Sequence, residues 1–111
     1  MKTLLITSLL TVTLNVTAQE ISTECKTSLS NLKDKTVYLW MASNSCWNDV
    51  KGGMKESVSR NCKAIRATQS PKIAGCTDVE INTEQGQSDM GIVMTNIQAI
   101  ANNMKKVNTF K

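Results

Sequence analysis

The 111-residue chain has no histidine and one proline, and only 4% of it is aromatic. Without imidazole, the commonest general base and the commonest metal ligand are both missing. No apolar run reaches the roughly 18 residues that a transmembrane helix needs. Cys-x-x-Cys is absent, and with it the signature of a zinc knuckle or a thioredoxin-like redox site. Neither Gly-x-Ser-x-Gly nor a phosphate-binding glycine loop occurs. These absences predict a protein that is not an enzyme and takes no metal and no cofactor. At this length the chain is one small domain.

The N-terminal segment reads as an address. Met1 and Lys2 make a positive start, Leu4 to Leu14 is mostly apolar, and Val16-Thr17-Ala18 supplies the small or branched residues that a signal peptidase reads. Residues 1–18 are therefore expected to be a secretory signal peptide, leaving 19–111 as a single secreted helical domain. Asn15-Val16-Thr17, the only glycosylation sequon, leaves with the signal. The expected location is extracellular, or periplasmic in a bacterium.

All four cysteines (Cys25, Cys46, Cys62 and Cys76) fall in the mature part. An even number in a short secreted chain reads as two disulfides. Four is sparse for a knottin-like scaffold, so the bonds are expected to supplement a hydrophobic core.

Three helical patterns follow the signal. The first runs from about Thr23 to Ala42, with Ser22 or Thr23 as cap and Cys25, Leu29, Leu32 and Leu39 on one face. Its end, from Val37 to Met41, would also suit a short strand. The second runs from about Cys46 to Ala67 after a turn at Ser43-Asn44-Ser45, with Trp47, Val50, Met54, Val58 and Ile65 as its stripe. Gly52-Gly53 is its weak point, at about 1 kcal/mol per glycine relative to alanine. Residues 68–83, with Pro71 and Gly75, read as extended, with a short strand or one helical turn. The third helix carries Met90, Val93, Ile97, Ile100, Met104 and Val107 at spacings of three and four, with Ile97 at the centre of the stripe. The expected fold is all-α: a small disulfide-linked bundle of an antiparallel helix hairpin and a long third helix.

On one continuous helix Cys46 and Cys62 would lie about 24 Å apart, beyond any disulfide. A hairpin turning near residues 43 and 44 sets Cys25 opposite Cys62, and an extended return brings Cys76 to Cys46. The expected pairing is 25–62 with 46–76.

Charge is uneven. Lys51, Lys55, Arg60, Lys63, Arg66 and Lys72 stand against one acid, Glu56, whereas Asp78 to Asp89 holds four acids and no base. Lys55, Arg60, Lys63 and Arg66 are the candidate binding face, for an acidic protein surface or an anionic membrane. The competing reading is a solvated face neutralised by the acidic segment folded beside it. Nucleic acid is not an expected partner for a secreted chain with a net charge of +3 once Lys2 is removed. Asp78 and Glu80, two apart, are read as solvated carboxylates rather than a hydrolytic pair. Met54, Met90, Met94 and Met104 offer an alternative, a flexible lining for small apolar ligands. Trp40 and Trp47 bracket the expected turn and would close one end of the bundle.

The format (signal peptide, two disulfides, helices, basic charge) resembles that of venom components, secreted effectors and pheromone-like proteins. No motif carries a residue across. The leading expectation is a non-enzymatic, toxin- or effector-like binding protein, with the apolar-ligand carrier as alternative.

Overall fold

The computed structural model describes residues 21–68 and 73–110; the expected signal peptide, Pro71 and Lys72 lie outside them. Among the described residues four helices follow in order: α1 (Thr23–Lys51), α2 (Arg60–Ala67), α3 (Asp78–Ile81) and α4 (Glu84–Thr109).

The 29 residues of α1 begin at a Ser22 cap, whose hydroxyl accepts from the Cys25 amide at 3.1 Å. Glu24 and Lys51 place opposite charges at the ends the helix dipole favours. Its buried positions Cys25, Leu29, Leu32, Thr36, Leu39, Ser43, Cys46 and Val50 alternate by four and three, a heptad seam. In α4, Gly86, Asp89, Val93, Asn96, Ile100, Asn103 and Val107 repeat the alternation. Lys33 meets Asp89, Thr36 meets Asn96, and Ser43 meets Asn103. Because these numbers rise together, α1 and α4 run parallel. Parallel neighbours need a return of the chain between them, and α2 with the segment before α3 provides it.

Two sequence expectations are overturned together. The helix does not turn at residues 43–45. Ser43 sits fully buried inside α1, its hydroxyl donating to the Trp40 carbonyl and accepting from Asn103. A residue type that otherwise favours turns is thereby held in helix by a tertiary partner. The turn comes at Gly52-Gly53 instead, where Gly53 takes φ 106°, a left-handed conformation that side chains resist. The expected helix over 46–67 is thus split, and only Arg60–Ala67 remains as α2, folded back antiparallel on α1. Cys46 and Cys62 then face each other, and the bonds are Cys25–Cys76 and Cys46–Cys62, not 25–62 and 46–76.

Each disulfide anchors an apolar cluster at one end of α1. Cys46, Val50, Cys62, Met104 and Val107 pack at one end with Trp47, Ile65 and Ile100; Ile21, Cys25 and Leu29 pack at the other with Cys76, Ile81 and Met90. Between them the α1–α4 seam is partly polar. Asn96 donates to Thr36 at 3.0 Å, and Thr36 to the Lys33 carbonyl; seven residues on, Asn103 donates to Ser43 at 2.9 Å, and Ser43 to the Trp40 carbonyl. The same two-step chain repeats one heptad later. Polar rungs of this kind have only one satisfied alignment, so they fix register at some cost in stability.

At the Cys25 end, Glu80 ties three elements together. Its carboxylate accepts from Thr77 N at 2.9 Å, closing a capping box on α3, and from Ser22 N at 2.7 Å, joining α3 to the start of α1. The backbone N–H of Thr77, then that of Ser22, hold its pKa at about 2, against an ordinary value of 4.5. A depressed carboxylate stabilises the fold above its unfolded pKa, and that contribution disappears as pH falls through the folded one. The stability difference between wild type and Glu80→Gln, measured by urea denaturation, should be full above pH 4.5 and vanish toward pH 2. A difference independent of pH would show that Glu80 acts by packing alone. Gly86 matters here for space, since a Cβ at that position would stand 2.3 Å from the Glu80 carbonyl oxygen. Only glycine lets the first turn of α4 close onto α3.

Candidate functional site

The basic candidates cluster around α2, and the local sequence explains why that helix is firm despite its eight residues. Ser59 caps it, accepting from Cys62 N at 3.1 Å and donating its own proton to Asp49 Oδ2 at 2.7 Å. Asn61 donates to the same carboxylate oxygen at 3.3 Å. Asp49 of α1 is thus consumed in holding the first turn of α2, and Cys46–Cys62 bolts the two helices one turn further along. Before the cap, the Lys55 carbonyl accepts from Val58 and Ser59, so Lys55 sits on an ordered turn at the mouth of α2.

The four sequence candidates divide. Lys55, Arg60 and Lys63 are exposed, and none of them forms an ion pair among the described residues. Arg66 has another role. Its Nε meets the Glu56 carboxylate and its Nη2 the Asn108 side chain, so it clamps the turn, α2 and the end of α4 together. The only acid within the basic run is therefore spent on Arg66.

The acidic segment expected to neutralise this face lies elsewhere. Glu80 serves the Cys25 end, and Asp89 binds Lys33 at 3.0 Å. Burial opposes the charge on Asp89, yet hydrogen bonds from Gln85 and Lys33 outweigh it and leave its pKa lowered. From Cys25 to Cys46, α1 rises about 30 Å. That is several Debye lengths at physiological salt, about 8 Å each, so the two charge groups are screened from one another.

The methionines are not brought into one lining. Met104 is buried beneath the Cys46–Cys62 bond, Met90 packs at the opposite end, and Met94 is 57% exposed on α4. Two of them border open clefts: Met54 one of about 490 Å³ between the Gly53–Glu56 turn and the Val107–Phe110 end of α4, and Met94 one of about 510 Å³ along α4 with Thr95, Gln98, Ala99 and Asn102. Ile97, the centre of the expected stripe, is only half-buried, whereas the seam is completed by Asp89, Asn96 and Asn103. Their spacing of seven was the signal that could have revealed the seam. Likewise Thr77-x-x-Glu80 is a capping-box pattern that marks the short α3. Trp40 and Trp47 do not flank a turn; they lie seven residues apart within α1.

Helices, seam and cross-links together define a small disulfide-linked helical bundle, and among the described residues no helix is long and apolar enough to cross a membrane. Comparison with protein-family models, with curated proteins and with solved structures finds no match to this chain.

Proposed function

We propose that this is a secreted, non-enzymatic binding protein, toxin- or effector-like, that engages an acidic target, a protein surface or an anionic membrane, through Lys55, Arg60 and Lys63. The observation that carries the reading is a set of three exposed cations that form no ion pair among the described residues, Arg60 and Lys63 on α2 and Lys55 on the turn before it, with α2 held by a disulfide, a cap and the Arg66 clamp. Rigidity matters because a preorganised charge cluster loses little side-chain and backbone freedom on binding. The carrier alternative retains two favourable observations, the Met54 and Met94 clefts, whose volumes fall within the size range of small-molecule sites.

The test is charge reversal at the two α2 cations. Arg60→Glu with Lys63→Glu should weaken binding to immobilised polyglutamate by about ten-fold or more, and wild-type binding should fall steeply with salt. Arg66→Glu is unsuitable here, because it also breaks the clamp. Retention that ignores both salt and the double reversal would remove the proposal. Salt-insensitive uptake of an apolar dye, lost in Met54→Asp, would favour the Met54 cleft instead.

A further inference from the structure

The side of α1 and α4 facing away from α2 carries a second surface of different character. At 100° per residue, Lys26, Lys33, Val37, Trp40, Trp47 and Lys51 fall on one side of α1. The edge-on contact of Trp47 with Phe110, ring centroids 5.4 Å apart, and the Lys33–Asp89 pair fix which side of α4 meets them. That side carries Ile92, Ala99 and Lys106. Trp40 is 39% exposed, Val37 38% and Ile92 46%, so the centre of this flank presents apolar groups to solvent. Its ends are cationic, with Lys26 at one and Lys51 and Lys106 at the other; Lys51 stands over the Trp47 ring at 5.7 Å.

Among the described residues, the carboxylates of α1 and α4 are kept off it. Glu24 lies under Gly75, Asp49 under α2, Asp34 and Glu84 fall on the backs of their helices, and Asp89 is taken up in the seam by Lys33 and Gln85. We infer that this flank is a membrane-contact surface that seats α1 and α4 lengthwise on an anionic lipid leaflet, with Trp40, Val37 and Ile92 entering the headgroup boundary and Lys26, Lys51 and Lys106 meeting the lipid phosphates. Tryptophan favours that boundary because its ring is apolar and its N–H is wet. Lysine stems lie along the apolar strip while their ammonium groups reach outward. A second copy of the chain is disfavoured as occupant. Two-fold pairing would set these lysines against their own equivalents with no carboxylate between them.

The inference stands apart from the α2 cluster, and one experiment separates them. Oxidised full mature chain is mixed with vesicles of phosphatidylcholine, with or without phosphatidylserine, and bound protein is measured by sedimentation. A Trp47→Phe form reports the depth of Trp40 by quenching from brominated lipid. Binding should require phosphatidylserine, and Trp40 should be quenched. Trp40→Ser with Ile92→Ser should lower partitioning by about ten-fold or more, and Lys26→Glu with Lys51→Glu should do likewise. Arg60→Glu with Lys63→Glu should change it by no more than about two-fold. Both serine substitutions are at exposed positions, and an unchanged circular dichroism spectrum shows that the fold survives. Failure to bind, or binding with Trp40 unquenched, would overturn the inference. So would loss confined to the Arg60 and Lys63 variant, which would place lipid at α2. Polyglutamate protecting Trp40 as well as lipid does would reassign the flank to an acidic protein.

Discussion

Removing the Cys25–Cys76 bond by paired substitution to alanine should destabilise the protein by about 4 kcal/mol, and removing Cys46–Cys62 by about 3 kcal/mol. The order follows from the chain-entropy account of disulfides, because the first bond closes 51 residues of sequence and the second only 16. Each pair would be measured by urea denaturation against the oxidised wild type. The pairing 25–62 with 46–76 would close two loops of nearly equal size and give two nearly equal losses. Peptide mapping of the non-reduced protein should recover Cys25 with Cys76 and Cys46 with Cys62. The two losses should also differ in kind. Without Cys25–Cys76, the chain between α2 and α3 is freed from the start of α1. Without Cys46–Cys62, α2 keeps its Asp49 and Arg66 ties but loses its fixed position, so binding through Arg60 and Lys63 should weaken along with stability.

Val93→Asp should be strongly damaging in α4, at about 3 kcal/mol or more. Val93 is 1% exposed and sits in the seam between the Lys33–Asp89 and Thr36–Asn96 rungs. A carboxylate placed there has no partner left to take, since Lys33 is already held by Asp89. It must either bury a charge or stay protonated. Ile97→Asp, at a half-buried position facing the return side, should cost less than half as much, because its carboxylate can reach water. Denaturation midpoints at neutral pH decide the matter. Equal losses at the two sites would mean that the apolar stripe of Met90, Ile97 and Met104, rather than the polar one, faces α1.

Several local features could be read from residue order. Ser22 as one of two cap candidates for the first helix and Gly52-Gly53 as the weak point both rest on short-range chemistry: a side-chain oxygen reaching an amide three residues on, or a backbone without a Cβ. The all-α character follows from hydrophobic spacings of three and four, which survive whatever the helices later pack against. The basic cluster was legible for the same reason. The distinction between Arg66 and its three neighbours was not, because it depends on Glu56 and Asn108, the latter 42 residues away.

Tertiary structure decided three things. Ser43-Asn44-Ser45 reads locally as a turn, but burial of Ser43 with Asn103 as its partner offsets that preference and carries α1 through to Lys51. Once α1 extends that far, the break at Gly52-Gly53 falls between Cys46 and Cys62 and brings them together, so the disulfide pairing changes with it. The face of α4 that is buried was decided in the same way. Its sequence offers two adjacent stripes that share Val93, Ile100 and Val107, one completed by Met90, Ile97 and Met104 and the other by Asp89, Asn96 and Asn103. Hydrophobicity alone selects the first. The second faces α1 because Lys33, Thr36 and Ser43 stand opposite to satisfy it, and no reading of α4 by itself supplies those partners. Periodicity along one chain segment thus determined that this protein is helical, while complementarity between two distant segments determined which sides of the helices meet.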